Sequence, residues 1–283
     1  MPRRLRSLTP YLLLLPGGLW LVVFFVLPMV AMAVVSLQTG SLGEGFEQTW
    51  NVGVYPQVMA DWSTQVVRSL WYALTVTVLA LLIGYPIAYA IAFRGGRFKS
   101  VLLLLVILPF FTAFVIRTLS WRLILADNGF VLGTLKDLGL VDPGYHVIAT
   151  PLAVISGLTY NVLPFMILPL YVALEKIDPR LIEAANDLYA GRLQAFLRVT
   201  LPLSMPGVFA GSLLVFIPAI GDFVNSALLG SRETTMIGNV IQRLFLQTNA
   251  YPEAAALSFV LMAATLVLVG LYARAVGTDN LTR

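Results

Sequence analysis

The sequence predicts an all-α integral membrane protein with six transmembrane helices, on three observations. Residues of the AVILMFWYC set make up 59% of the 283-residue chain, and Asp, Glu, Lys and Arg only 11%; soluble domains run near half apolar and about a quarter charged. Six stretches of about 20 residues or more carry almost no charge, which is the length that crosses roughly 30 Å of hydrocarbon as helix. Lys and Arg collect in alternate connections, as a multi-pass chain requires. With no cysteine, disulfides and thiolate chemistry are excluded, and a lone histidine, His146, argues against a histidine-ligated metal centre.

Taken in order, the predicted spans are residues 11–37, 69–93, 101–125, 147–174, 206–229 and 254–273. Arg3, Arg4 and Arg6 precede the first, and Ala31-Met32-Ala33 imitates a signal-peptidase site. A secretory apolar core is usually about 7–15 residues; this one runs on uncharged for about 25, so a retained first helix is expected. The third span carries Arg117 and Arg122 toward its end, and Asp222 interrupts the fifth. Prolines at 28, 86, 109, 164 and 218 fall inside spans, where neighbouring helices satisfy the carbonyls they free.

The basic residues orient the chain. With the N-terminus inside, Arg3, Arg4, Arg6, Arg94, Arg97, Lys99, Lys176, Arg180, Arg192, Arg198, Arg274 and Arg283 are cytoplasmic, twelve of the 18. The outer segments hold only Arg68, Arg117, Arg122, Lys136, Arg232 and Arg243. Both termini are therefore expected in the cytoplasm, and the net charge of +4 reads as a topology signal rather than a nucleic-acid footprint. Acidic residues, Glu44, Glu47, Asp61, Asp127 and Glu253 among them, lean outward. They are either ordinary loop surface or an anionic mouth that concentrates a cationic solute.

The loop over 175–205 breaks the pattern of short connections. Asp178-Pro179 is a helix-start signal, an N-cap acid before proline at the first helical position. Leu181, Ile182, Ala184, Ala185 and Leu188 then set an apolar side against Arg180, Glu183 and Asp187, predicting a short amphipathic helix over about 179–190. Leu201-Pro202 follows a turn-rich stretch and leads to Pro206-Gly207 at the expected start of the fifth span. Periodicity alone allows two roles for such a helix: lying in the headgroup layer, or docking into a partner.

Glu183-Ala184-Ala185 followed by Val199-Thr200-Leu201-Pro202 resembles the EAA loop of the type I ABC importer permeases. The family pattern is E-A-A, three residues, glycine, nine residues, an aliphatic, any residue, then Leu-Pro. The spacing from Glu183 to Pro202 matches without a gap, but Tyr189 stands where the pattern has glycine, and the nearest glycine is Gly191. The segments Gly157 to Asn161, Leu163 to Met166, Phe216 to Val224 and Met236 to Asn239 are similar to spermidine/putrescine permeases of the PotB or PotH type. Importers of other small amines, opine-like solutes and phosphonates belong to the same group. The resemblance implies one permease domain over 1–283, with a first helix at 11–37 and a core at 69–275.

The same resemblance implies the partners: a second, related permease, two copies of an ATP-binding subunit, an extracytoplasmic binding protein and a small cationic solute, in a bacterial inner membrane. No G-x-x-x-x-G-K-[ST] phosphate loop occurs in the chain, so ATP and Mg²⁺ are expected on the partner ATPase, and no cofactor or metal here. Pro179, Glu183, Ala184, Ala185, Asp187, Tyr189, Leu201 and Pro202 are the expected ATPase-coupling residues, Glu183 facing a basic residue of the ATPase. Two readings stand for Asp222: it faces the path and attracts an ammonium group, or it pairs with Arg117. Tyr160, Asn161 and Trp121 are further path residues, offering ring faces and hydrogen bonds to a cation; for the aromatics, interfacial anchoring is the alternative.

Residues 235–245 place apolar pairs four apart, the signature of a short outer helix, either capping the pathway or merely interfacial. An ion-coupled carrier using Asp222 is the rival of another class, but no repeat relates the first three spans to the last three. An intramembrane enzyme lacks a histidine cluster, a Ser-Lys pair or paired carboxylates.

Overall fold

The computed structural model describes residues 13–276; the expected cytoplasmic Arg3, Arg4, Arg6 and Arg283, and the first two residues of the predicted span 11–37, lie outside them. Eleven helices are described. α1 is Leu13–Ser36, α2 Val54–Arg94, α3 Lys99–Ile107, α4 Phe114–Leu125, α5 Phe130–Asp137, α6 Pro151–Glu175 and α7 Pro179–Asp187. α8 runs Arg192–Ile220, followed by α9 Val224–Leu229, α10 Ile237–Leu246 and α11 Tyr251–Val276. Five helices are long and apolar enough to cross a membrane, and α3–α5 make a sixth span if taken as one bent element. The fold is that of an all-α, multi-pass membrane protein.

The described residues form two compact units. The first holds the chain up to Ser63 with Ile241–Met262; the second holds Thr64–Val240 and the chain from Ala263 onward. In the first unit, α1 presents its apolar side chains outward along nearly its whole length. A small antiparallel hairpin then pairs β1, Gln38–Ser41, with β2, Gly45–Gln48. It was not expected from the sequence. Gly40 and Gly45 close its turn at φ +119° and +89°, values that a side chain would forbid. Phe46 and Phe245 both pack on Tyr251, and the Arg243 guanidinium lies 5.2 Å over the Trp62 ring.

The second unit is organised by the crossing of α6 and α8. Gly207 and Gly211 sit four residues apart on α8, and a Cβ at either position would press on α6: 2.5 Å from the Ala173 Cβ at Gly207, and 2.8 Å from Met166 Sδ at Gly211. Two glycines on one helical face let the backbones approach, which is how helices associate in lipid without a hydrophobic driving force. Gly84 does the same for α2, where a Cβ would lie 3.1 Å from Met166 Cγ. Met166, Ile167, Leu170 and Leu174 of α6 are consequently buried between these helices, with Ala73, Val76 and Ala80 of α2.

Three of the expected spans change, each for a reason in the backbone. The third span is not one straight helix: α3 tightens into a 3₁₀ turn at Leu108–Phe111, Thr112 and Ala113 are extended, and the chain bends by 97° before α4. Pro109 has no N–H to continue the ladder. The fifth helix starts at Arg192, not near 206, so Leu201-Pro202 lies inside it rather than in a loop. A π-helical turn at Phe196–Thr200 precedes Pro202, widening the coil where the ring would strike the preceding turn. α1 uses the same device, a π-helical turn at Val22–Val26 just before Pro28. The second helix begins at Val54, well before the expected 69, because Asp61 and Arg68 interrupt the apolar run but not the helix.

Candidate functional site

The amphipathic segment is built as a short, well-terminated helix. The Asp178 carboxylate accepts the Arg180 N–H at 3.0 Å, satisfying a free donor at the start of α7, and Pro179 fills the first helical position. At the other end, the Ala190 N–H reaches back to the Ala185 carbonyl at 3.1 Å, and Tyr189 adopts φ +59°. This is the left-handed C-terminal turn in which a bond skips back over five residues, and the residue at its pivot is usually glycine. The motif glycine thus has a conformational reason, and Tyr189 adopts that conformation without being glycine. Its side chain is 98% exposed.

Glu183, Ala184 and Asp187 are exposed and Ala185 half-buried; Glu183 forms no ion pair among the described residues. Leu181 and Leu188 also stand in the open. Leu201 and Pro202 lie on the adjoining part of α8, anchored to α2: Tyr85 Oη and Ser204 Oγ are 2.8 Å apart, and Phe196 packs edge-on against Tyr85. A Lys99–Glu175 ion pair of 2.8 Å joins the start of α3 to the end of α6.

The second constellation gathers around Asp222, in the break between α8 and α9. Its Oδ1 accepts the Asn225 backbone N–H at 2.8 Å and its Oδ2 accepts Asn225 Nδ2 at 3.1 Å. Asn225 Oδ1 accepts in turn from Asn161 Nδ2 of α6 at 3.0 Å and lies 3.2 Å from the Thr118 hydroxyl of α4. Asn161 Nδ2 also donates to Thr118 Oγ1 at 3.0 Å. Thr118, Asn161 and Asn225 are all buried, and Asn161 Oδ1 has no partner.

Beside this network the Trp121 and Tyr160 rings stack, 5.2 Å between centroids and 5° from parallel, with Trp121 Nε1 donating to Ser156 Oγ at 3.2 Å. Gly157 makes room for them: a Cβ there would lie 3.1 Å from Trp121 and 3.3 Å from Asn225 Oδ1, and would overlap Leu229. Gly238 likewise lets the start of α10 rest against the carbonyls of Gly221 and Asp222.

The structure therefore brings Asp222, Asn161, Tyr160 and Trp121 into one neighbourhood of the second unit. Arg117 and Asp222 do not form an ion pair. The Arg117 guanidinium lies over the faces of Phe110, at 4.8 Å, and Phe114, at 5.6 Å, with Nε and Nη1 buried and unpaired. Asn161 is only 1% exposed, and both its amide hydrogens are spent on Thr118 and Asn225. Sequence reasoning missed Thr118 and Asn225; polar side chains within otherwise apolar helices were the available signal. His146 Nδ1 lies 2.7 Å from Asp127 Oδ2. No group of three or more potential metal ligands occurs among the described residues.

Apolar helices long enough to span a membrane, a capped and exposed amphipathic helix in one connection and a buried polar cluster beside a helix break are the features of a multi-pass membrane protein. The chain belongs to the family of binding-protein-dependent transport system inner membrane components, whose profile matches residues 80–276. It is 39% identical to the spermidine/putrescine transport system permease protein PotB of Haemophilus influenzae over 90% of both chains. To PotB of Escherichia coli it is 38% identical over 90% of this chain and 94% of that one. A bacterial ABC transporter that imports alginate shares the fold, with TM-score 0.73, 22% identity and complete coverage of both chains. The chain is thus a multi-pass permease subunit of an ABC importer in the inner membrane.

Proposed function

We propose that this chain forms half of the translocation path of an ATP-driven importer for spermidine, putrescine or a related small amine. The observation that carries the reading is the match to PotB permeases across nine-tenths of both chains. In this reading an extracytoplasmic binding protein delivers the cargo and a second, related permease completes the path. Both termini are cytoplasmic, and two copies of a separate ATPase hold ATP and Mg²⁺. α7 enters a cleft of the ATPase through Glu183, Ala184, Ala185 and the exposed Leu188, so that nucleotide-driven closure favours one of two states of the spans.

Within the path, the Asp222 carboxylate and the Trp121–Tyr160 stack meet the ammonium groups of the cargo. Binding there is weak, because release inside the cell is required. The test is purification of the tagged protein from its host in mild detergent, beside Glu183→Arg, with uptake of radiolabelled spermidine and putrescine by cells carrying each form. A nucleotide-binding subunit and a second permease are expected to copurify with the wild type, and the charge reversal to deplete the ATPase and abolish uptake. A chain that emerges intact and alone sinks the assembly; uptake that does not depend on the chain sinks the cargo.

A further inference from the structure

Asp222 is held by a neutral partner whose orientation is itself fixed. A side-chain amide can be turned over, exchanging its oxygen and its NH₂. At Asn225 two neighbours decide the matter. Asn161 Nδ2 donates to Asn225 Oδ1 at 3.0 Å, and the Thr118 hydroxyl, its hydrogen shared with the Phe114 carbonyl, lies 3.2 Å from the same oxygen. With its oxygen claimed by α4 and α6, Asn225 turns its NH₂ to Asp222 Oδ2. The reversed amide would set one oxygen against the carboxylate and one NH₂ against another. All three side chains are buried, so water does not substitute for the lost donors.

No cation pairs with Asp222 among the described residues, Arg117 being engaged over Phe110 and Phe114. The network therefore orients the carboxylate without neutralising it, which is what a site for a positively charged cargo needs.

We infer that Asn161 and Thr118 are positioning residues that act on Asp222 through the amide of Asn225, and that Asn161 does not itself touch cargo. The inference rests on the proposed role of Asp222 toward an amine.

The test is equilibrium binding of radiolabelled spermidine to the assembled permease–ATPase complex in nanodiscs, without binding protein, for wild type, Asn161→Leu, Asp222→Asn and the double variant. Asp222→Asn keeps one oxygen for the Asn225 backbone N–H and removes both the charge and the acceptor of Asn225 Nδ2. Each single substitution is expected to weaken binding about tenfold, and the double variant no further than Asp222→Asn alone, since Asn161 works through that carboxylate. Thr118→Ser, which keeps the hydroxyl, is expected to retain wild-type affinity, and Thr118→Val to lose several-fold. Size-exclusion elution of each complex reports folding separately.

Multiplying effects in the double variant overturn the inference and leave the role of Asp222 standing; an Asn161→Leu loss when Asp222→Asn has none overturns the inference together with the role of Asp222, and leaves the amine cargo standing. A wild-type complex that does not bind spermidine overturns both.

Discussion

The turn after α7 offers a sharp test of how the proposed coupling loop is built. Tyr189 holds φ +59°, and its side chain is 98% exposed, so replacing it removes no buried surface. A left-handed conformation costs an L-residue roughly 1–2 kcal/mol; a glycine escapes that cost but gives up roughly 0.5–1 kcal/mol more chain entropy on ordering. The balance leaves about 0.5–1 kcal/mol in favour of Tyr189→Gly, roughly two- to fivefold in the opening equilibrium of the turn. Tyr189→Ala keeps the backbone cost and is expected to match the wild type. The assay is amide hydrogen exchange in the purified complex, read at Leu188 and Ala190, whose N–H groups bond to Ala184 and Ala185. Slower exchange in the glycine variant alone is the expected result. If glycine and alanine exchange at the same rate, the left-handed turn is not what positions the end of α7, and the explanation of the motif glycine given above is wrong.

Two further substitutions probe the packing that holds the polar cluster. Gly157→Ala puts a methyl group against Leu229, Trp121 and Asn225; it is expected to destabilise the protein by about 1–3 kcal/mol and to separate the Trp121–Tyr160 stack, read as a change in tryptophan emission. Gly207→Leu drives a side chain into Ala173 and the Pro169 carbonyl at the α6–α8 crossing; it is expected to abolish accumulation of folded protein, whereas Gly207→Ala lowers the thermal transition by a few degrees.

What was legible in the sequence was what depends on apolar mass and on local signals. The spans at α1, α6 and α11 lie within a few residues of their expected limits because long uncharged runs have little else to form. Asp178-Pro179 marked the start of α7 because capping is a local affair. The errors came where a helix tolerated what usually ends one: Pro202 read as a loop, since nothing in the sequence shows that a π-helical turn will take up the ring. Pro109 gave the opposite outcome from the same residue type, a 97° bend, because Thr112 and Ala113 go extended after it. Nor does sequence say which way a polar side chain faces. Asn161 reads as a path residue when only its composition is seen, and becomes a buried donor once α4 and α9 are laid beside α6.

α8 connects the two constellations, and its mechanics limit how one can act on the other. It begins five residues after α7 ends and stops two residues before Asp222, so about 40 Å of helix separates α7 from the polar cluster. An α-helix transmits a displacement along its axis with little loss except where its ladder is broken. α8 has such places at the π-helical turn Phe196–Thr200 and around Pro206 and Pro218. Beyond the first of these, the Gly207–Gly211 crossing ties α8 to α6, which carries Tyr160 and Asn161. A movement of α7 that bent α8 at the π-helical turn would stop short of the cluster; one that moved α8 as a rod would carry α6 and the start of α9 with it and shift Asn161 and Asn225 against Thr118 of α4. The Tyr85–Ser204 hydrogen bond and the packing of Phe196 on Tyr85 brace that turn against α2, which favours the rod.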